Sequence, residues 1–481
     1  MHTLRRSCAA LVSWQTEGHS SRDSRDTTRM SAERMSGVDR AWLLMDQPAN
    51  PMTIVGLIVL GEPIGREPLR ELIERRFLAF ARFRTRPAAD TLGGSWLETP
   101  TFDLDDHLLS AALPEPGGQR ELEALAGELA SSPFAPGRPL WSFHLIERYR
   151  GGSALIVRIH HCYADGIALV KVLLSLADHD ISGAVSVPAP QTAHDVLRSG
   201  AELIEAGVHY ALRPAQAVGL AQQALGIGVE LMRLATLSDD PPTRLRRDLS
   251  GVRRLAWAQA LSLEEVHTIG RCLGCTVNDV LIATLAGALG RYLEAEGEPV
   301  EGLTIRAAVP VNLKQGAPGG PPDTSLGNRF GLVLVELPIG VRHPLERLYT
   351  VRAAIKALKG SPQALATFGL LSLLGNLPSA VEEYALDLLS AKVSLVASNL
   401  PGPAAALTLA GRSITEVLFW VPQSGSVGAG VSMFTYRGRV QYGVMADREL
   451  IPEPQRLVGL LASEFERLVL LVLLGGAALD A

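Results

Sequence analysis

The sequence predicts a mixed α/β fold, layered from sheets and helices and divided into two domains. Two observations carry this expectation. The chain has 481 residues, more than one hydrophobic core ordinarily serves. Apolar runs of strand length also alternate along it with segments of helical period, separated by proline and glycine punctuation. Sheets and helices in such an order bury their apolar faces by stacking in layers. With 47% hydrophobic and 20% charged residues, the composition is that of a globular protein.

Taken in order, Thr53–Leu60 (TIVGLIVL) reads as a buried strand and Leu69–Phe83 as a helix with an arginine-rich solvent face. Glu121–Ala130 reads as a helix, and Leu140–Glu147 and Ser153–His161 as strands. A turn then feeds a helix from Ile167 to about Ala177. Val185–Gln191, with two prolines, reads as a linker, and Ala193–Leu237 is helical in pattern. Beyond the break at Ser238–Pro242, Ser262-Leu-Glu-Glu265 has the form of a capping box, and Gly274 stands where that helix would stop. A second helix is expected over Asn278–Leu293, with Leu281, Leu285 and Leu289 as its buried stripe. Ile305–Val311, Phe330–Leu337 and Val393–Ser398 read as strands. Val431–Tyr436 and Val440–Met445, joined by Arg437-Gly438-Arg439, read as a hairpin. The expected boundaries are a disordered extension over 1–34, a first domain over 35–182, a helical linker over 183–249 and a second domain over 250–481.

A net charge of −5 and few aromatic residues argue against nucleic-acid binding. Four cysteines are too few for a disulfide framework and fit a reducing compartment. Cys272-Leu-Gly-Cys275 has the spacing of a zinc or redox pair, but nothing nearby completes a zinc site. The N-terminal apolar patch, Cys8–Trp14, is too short for a secretory signal. Phe368–Leu374 and Leu468–Leu474 fall short of the ~20 apolar residues needed to span a membrane. Any membrane contact is therefore expected at the surface.

The segment richest in chemistry is His160-His161-Cys162-Tyr163-Ala164-Asp165-Gly166. Strand alternation puts Leu155, Val157, Ile159 and His161 on one face, and Ala154, Ile156, Arg158 and His160 on the other. If the aliphatic face is the interior, His161 is the better-oriented base and His160 supports the turn. Asp165 can cap the following helix, and Gly166 permits a backbone that a side chain would obstruct. Three readings stay open on these residues alone: a catalytic turn, a hydrogen-bonded histidine pair, or a metal site from His160, His161 and Asp165. The last is awkward because adjacent strand residues point to opposite faces.

This HHxxxDG segment resembles the active-site signature of the CoA-dependent acyltransferase superfamily. Further motifs follow in order: Met35-Ser36-Gly37-Val38-Asp39, Trp96, Phe102-Asp103-Leu104 with His107, Pro139-Leu140-Trp141, and Asn278-Asp279. Val309-Pro310-Val311-Asn312-Leu313, Leu326-Gly327-Asn328 and Ser398-Asn399-Leu400-Pro401-Gly402-Pro403 complete the series. Together they resemble the bacterial wax ester synthase/diacylglycerol acyltransferase family from about Met35 to Leu468.

The resemblance implies two related chloramphenicol-acetyltransferase-like domains with an active-site tunnel at their interface. It implies an O-acyltransferase that uses acyl-CoA as co-substrate and holds no permanent cofactor or metal. The acceptor would be diacylglycerol, a long-chain alcohol, or both. His161 would be the general base, with His160 in support and Asp165 organising the loop. Asn278 and Asp279 would shape the site, with Asn278 contacting His161 or polarising the carbonyl. Pro139-Leu140-Trp141 would be structural. A cytoplasmic location follows, peripheral at the inner membrane or lipid droplets because of the substrates. Rival readings are a carrier-protein-dependent or condensation-type enzyme, and a non-catalytic lipid-binding or droplet-coating protein.

Leu92-Gly93-Gly94-Ser95 resembles a phosphopantetheine site but lies inside the first domain, and Gly425–Gly430 lacks a nucleotide-binding context. The arginines 244, 246, 247, 253 and 254 form a cluster read as a solvated face, with attraction of CoA phosphates or anionic headgroups as the alternative.

Overall fold

A computed structural model describes residues 32–89, 93–178, 228–313, 330–359, 361–377 and 379–475, with Gly226 and Asn328. Cys8, the expected linker at Val185–Gln191 and most of the helical pattern before Leu237 lie outside the described residues. The first half contains β1 (Ala32–Arg34), α1 (Gly37–Leu44), β2 (Thr53–Leu60), α2 (Arg66–Leu72), β3 (Thr85–Ala89), β4 (Gly94–Glu98) and β5 (Leu108–Ala111). It continues with α3 (Gln119–Ser131), β6 (Trp141–Tyr149), β7 (Gly152–His160) and α4 (Gly166–Leu174). The second half holds β8 (Arg253–Trp257), β9 (Leu261–Ser262), α5 (Leu263–Leu273), α6 (Val277–Ala295), β10 (Ile305–Asn312) and β11 (Phe330–Leu337). After these come α7 (Pro344–Leu358), α8 (Gln363–Leu374), α9 (Ser379–Ser390), β12 (Leu395–Leu400), β13 (Thr408–Leu409), β14 (Arg412–Trp420), β15 (Ala429–Tyr436), β16 (Arg439–Asp447) and α10 (Pro454–Leu473).

Two large mixed sheets organise the molecule. One runs β13-β14-β2-β7-β6-β5, and the other β11-β10-β12-β15-β16-β8, with β9 beside β16. The strand β14 departs from sequence order. It lies late in the chain yet pairs antiparallel with β2, placing Trp420 opposite Val55. The six-stranded sheet is therefore completed by the second half of the sequence.

Strand β7 is buried along its whole length, because both faces of its sheet are covered. Leu155, Val157 and Ile159 enter one core with α1 and α4, whereas Ala154 and Ile156 pack with α3, Trp257 and Trp420 on the other. The aliphatic face is interior, as the condition placed on His161 required, and the second layer buries the opposite face as well. Alternation itself holds, and it sends the two histidines to different surroundings.

The helix expected over Leu69–Phe83 is shorter. Regular α-helix ends at Leu72, widens through Ile73–Phe77 and gives way to a 3-10 turn at Ala81–Arg84. The reversal lets Phe83 stack on Phe77 with ring centroids 4.1 Å apart, while Trp141 Nε1 donates to the Phe83 carbonyl at 2.8 Å. Aromatic packing and a buried donor outweigh helix continuation here. The second-half helix signals match their expected positions. Ser262 caps α5, and Gly274 ends it at φ +64°, in the left-handed region glycine tolerates. Leu281, Leu285 and Leu289 are all buried in α6.

Candidate active site

The HHxxxDG segment forms the turn between β7 and α4. His160 is the last residue of β7, paired with Thr53, and the His161 N–H donates to the Met52 carbonyl at 2.8 Å. Asp165 caps α4 by accepting from the Ala168 N–H at 2.8 Å. The Tyr163 hydroxyl donates to the Thr85 carbonyl at 2.7 Å and accepts from the Leu140 N–H at 3.0 Å. Those contacts fasten the turn to β3 and to the start of β6.

The two imidazoles have different partners. His160 Nδ1 accepts from the Cys162 N–H at 3.1 Å, which leaves the ring proton on Nε2, 3.6 Å from the Asp46 carboxylate. Burial acts to raise the Asp46 pKa, but His160 and the Met52 N–H together hold the group below its ordinary value. His161 lies on the other side, stacked on Trp42 with centroids 4.3 Å apart and planes 25° apart. Burial depresses its pKa to about 4, against opposing effects of its own carbonyl, Asp165 and Asn328, while His160 adds to the depression. The ring is thus neutral across ordinary pH, the state a proton acceptor requires.

Both His161 and Asp165 line a cavity of about 430 Å³. Its remaining walls come from α1, from β10, β11 and β12, from the segment after β14 and from α8 and α9, and they are mostly aliphatic, including Val309, Leu332, Leu371 and Leu386. Few polar groups interrupt that lining: Asn278, Asn312, Thr367, Ser390, Ser398, Asn399 and Ser424 join the HHxxxDG residues. A pocket of this size, apolar with a few convergent polar groups, is the usual form of a small-molecule site.

The other predicted residues separate into two sets. Asn278 lines the cavity and accepts from Asn399 Nδ2 at 3.3 Å. Asp279 does not line it. Its carboxylate accepts from the Thr276 N–H at 2.8 Å while its own N–H donates to Thr276 Oγ1 at 3.2 Å, a reciprocal cap on α6. Its expected place in shaping the site is thus corrected to terminating the helix that carries Asn278. Gly166 lines the cavity, but its φ is not positive, and an added Cβ would sit 3.6 Å from Leu400. The backbone argument for this glycine fails; its effect is to leave room in the cavity.

Three aspects of the site had no role in the sequence reading. Trp42 stacks on His161, and Phe330 lies against both rings with centroids 5.7 Å away. Asn328 Nδ2 donates to the Asp39 carboxylate at 2.8 Å and to the His161 carbonyl at 3.1 Å. Asp39 is buried and lies 3.4 Å from Arg82. The signal was present, since Met35–Asp39 and Leu326–Asn328 were both recognised as motifs, but spacing could not show that they meet.

Trp141 packs among Phe77, Phe83 and His107 inside the first core, away from the cavity lining. The arginine cluster is dispersed: Arg244 bonds Glu296, Arg246 donates to the Asp240 and Ala391 carbonyls, and Arg253 is buried against Asn50 and Gly428. Its reading as one solvated face is corrected for those three side chains, which serve as internal ties. Among the described residues, no group of three or more His, Cys, Asp or Glu side chains is placed to hold a metal ion.

An apolar cavity with a buried neutral histidine at its wall suits acyl-group transfer. Family comparison supports that class. Residues 35–281 match the wax ester synthase/diacylglycerol acyltransferase catalytic domain, and residues 326–469 match the C-terminal domain of the same family. The chain belongs to the wax ester synthase/diacylglycerol acyltransferase family and is an O-acyltransferase. A Mycobacterium tuberculosis (strain ATCC 25618 / H37Rv) protein bearing a diacylglycerol O-acyltransferase name is 30% identical over 459 residues, covering 90% of this chain and 98% of its own. A second such relative from that strain is 28% identical over 399 residues, covering 81% of this chain and 84% of its own.

Among solved structures, the wax ester synthase/diacylglycerol acyltransferase from Marinobacter aquaeolei VT8 superposes with TM-score 0.62 at 21% identity, covering 91% of this chain and 99% of that one. The first condensation domain of the calcium-dependent antibiotic synthetase superposes with TM-score 0.58 at 16% identity, covering 92% and 96%. Both show a common fold.

Proposed function

We propose that the protein transfers a fatty acyl group from acyl-CoA to diacylglycerol or to a long-chain alcohol, with His161 as general base. The observation that carries this is a buried, neutral imidazole at the wall of an aliphatic cavity. Apolar acyl and acceptor chains suit such walls. The neutral ring accepts the proton of the acceptor hydroxyl as its oxygen bonds to the thioester carbonyl carbon. Collapse of the tetrahedral intermediate breaks the carbon–sulfur bond, and the imidazolium returns the proton to the departing thiolate. Ester and free CoA thiol result, and no acyl-enzyme is formed.

The residues around the base have separate tasks in this reading. His160 and Asp165 hold the turn, Gly166 leaves space, and Asn278 polarises the carbonyl. Asp279 supports Asn278 through the α6 cap. The bound oxygen of Asn278 faces Asn399, which leaves its amide N–H groups for the cavity.

The acceptors are lipid-borne, so the reading includes peripheral contact with a membrane or droplet surface. Among the described residues, no single helix is long and apolar enough to cross a membrane. Helices α8 and α9 line the cavity with Leu371 and Leu386 while exposing Leu365, Leu373, Val381 and Tyr384 outward, Tyr384 being 73% exposed.

The test measures thiol release from palmitoyl-CoA with hexadecanol or diolein, using the parent and His161→Ala. The expected loss is on the order of 10²- to 10⁴-fold. Equal rates in parent and variant would remove His161 from the mechanism. An acyl-carrier thioester used in place of acyl-CoA tests the donor.

A further inference from the structure

Resting on that acyl-transfer reading, we infer that Ala308 is a specificity-determining residue: it stands at the far end of a straight alkyl slot that runs from His161 along β10, β11 and β12, and its small side chain decides whether long chains are taken. Strand alternation sorts the residues of this wall. Ala307, Val333, Val335 and Leu395 enter the core that holds Leu281 and Leu285 of α6, whereas Ala308, Leu334 and Val396 turn to the other face and line the cavity. Register then gives the wall a direction. Phe330, with its ring 5.7 Å from that of His161, pairs with Asn312; Leu332 pairs with Pro310, and Leu334 with Ala308. Parallel pairing sets Val396 against Ala308, and Leu400, further along β12, lies 3.6 Å from where a Cβ on Gly166 would be. On each of the three strands, four residues separate the level of the histidine turn from the level of Ala308. At the usual rise of a strand this is about 13 Å.

The two ends of the slot differ. At the histidine end Phe330, Leu371, Leu386 and Leu400 belong to the core shared with α1 and α4. At the far end Ala308, Val393 and Val427 form a small separate cluster, with Leu334 and Val396 packed against it. Beyond Ala308 on the same strand face stands Arg306. Its guanidinium donates to the Ser238 carbonyl at 3.0 Å and to the Lys392 carbonyl at 2.8 Å, and Asp240 lies 3.5 Å away. Displacing a cation held by two carbonyls and a carboxylate is unfavourable for a hydrocarbon, so the straight path stops at Ala308.

The opposite wall is held at a fixed spacing. Strand β11 is the edge of its sheet, and α8 is fastened to it by side chains. Thr367 Oγ1 accepts from the Leu332 N–H at 2.8 Å, and Gln363 Oε1, one helical turn earlier, accepts from the Leu334 N–H at 2.8 Å. With these bonds in place the slot does not widen around a larger side chain. Carbon–carbon bonds of ~1.5 Å in a zigzag advance about 1.3 Å per carbon, so a reach of about 13 Å takes about ten carbons. Shorter chains end before Ala308. Longer ones turn there, over its methyl group and toward Val427, and an aromatic ring in place of that methyl fills the turn. Both the acyl group and the acceptor carry such a chain.

The experiment uses the full chain and two substrate series. One compares octanoyl-CoA with palmitoyl-CoA at fixed octanol, and the other compares octanol with hexadecanol at fixed octanoyl-CoA. In Ala308→Phe the ratio of kcat/KM for the long substrate to that for the short one is expected to fall about 10- to 100-fold in at least one series. The series that responds shows whether the slot holds the acyl chain or the acceptor chain. Ala308→Val should move the same ratio in the same sense by less. A ratio within about twofold of the parent in both series overturns the inference, since general damage lowers both lengths alike. If Ala308→Phe does not fold, an unchanged ratio in Ala308→Val does so. Isothermal titration of the same two acyl-CoAs and two alcohols reads the slot without turnover. Absence of thiol release in the parent would refute the acyl-transfer reading, and the length dependence of binding in parent and variant would still decide this one.

Discussion

His161 and His160 are neighbours in sequence, but packing gives them separate environments. The depressed His161 pKa sets two pH expectations. In catalysis the base remains neutral down to about pH 4, so the acid limb of kcat/KM lies well below that of an ordinary histidine. In stability, the unfolded ring takes up its proton before the folded one. Stability therefore declines as pH falls from about 6.5 toward 4, and chemical denaturation of His161→Phe should lack that part of the slope. Glu382 on α9 behaves in the opposite way. Burial pushes its carboxyl up to about 7, Arg40 opposing and Glu383 adding, and neither oxygen has a hydrogen-bond partner. The folded state holds this proton more tightly, so its contribution is lost as pH rises from about 4.5 through 7. Glu382→Gln should stabilise the protein more at pH 8 than at pH 5 in paired thermal melts.

At the scale of elements, the caps of α4 and α6 convert local sequence into site geometry. Asp279→Ala should cost about 0.5–2 kcal/mol by denaturant unfolding through loss of the reciprocal cap. Its effect on kcat should be smaller than that of Asn278→Ala, which removes a cavity amide; the reverse order would return Asp279 to the chemistry. Another contact joins α1 to the end of α8. A Cβ on Gly375 would lie 1.7 Å from the Gly37 carbonyl oxygen, so only glycine permits the two backbones to approach. Gly375→Ala should lower the melting temperature and, by moving the helix that bears Trp42, reduce kcat as well. Much at this scale is legible: β2 matches its expected bounds, and the cap and stop of α5 fall at Ser262 and Gly274. The break after Leu72 is not, because a helical period in Leu69–Phe83 cannot register that Phe83 must return to Phe77 and Trp141.

For the whole molecule, the exchange of β14 makes the two halves interdependent. Without it, β2 presents an unpaired edge, and Val55 and Leu57 lose Leu418 and Trp420 from their core. Residues 32–249 expressed alone should aggregate or remain unfolded, as size-exclusion chromatography and circular dichroism would reveal; a soluble, folded monomer would contradict this. The outward apolar residues of α8 and α9 lead to a second expectation. Flotation with neutral-lipid liposomes should carry the protein upward, and Leu373→Glu with Tyr384→Glu should weaken this; a protein left wholly in the soluble fraction counts against surface contact. By itself, the sequence determined the family, β2, β6, β7, β10, β11 and the β15–β16 hairpin, and the caps of α4 and α5, because these depend on periodicity, turn chemistry and short ordered motifs. Only the tertiary structure decided that both faces of β7 are buried, that Asp279 caps a helix and that Asn328 joins Asp39 to His161. The first and last depend on contacts between residues far apart in the chain, such as Trp420 with Ile156 and Asn328 with Asp39, whose pairing no local spacing encodes; the Asp279 cap is local, and what the fold decided is that its side chain stays out of the cavity lining.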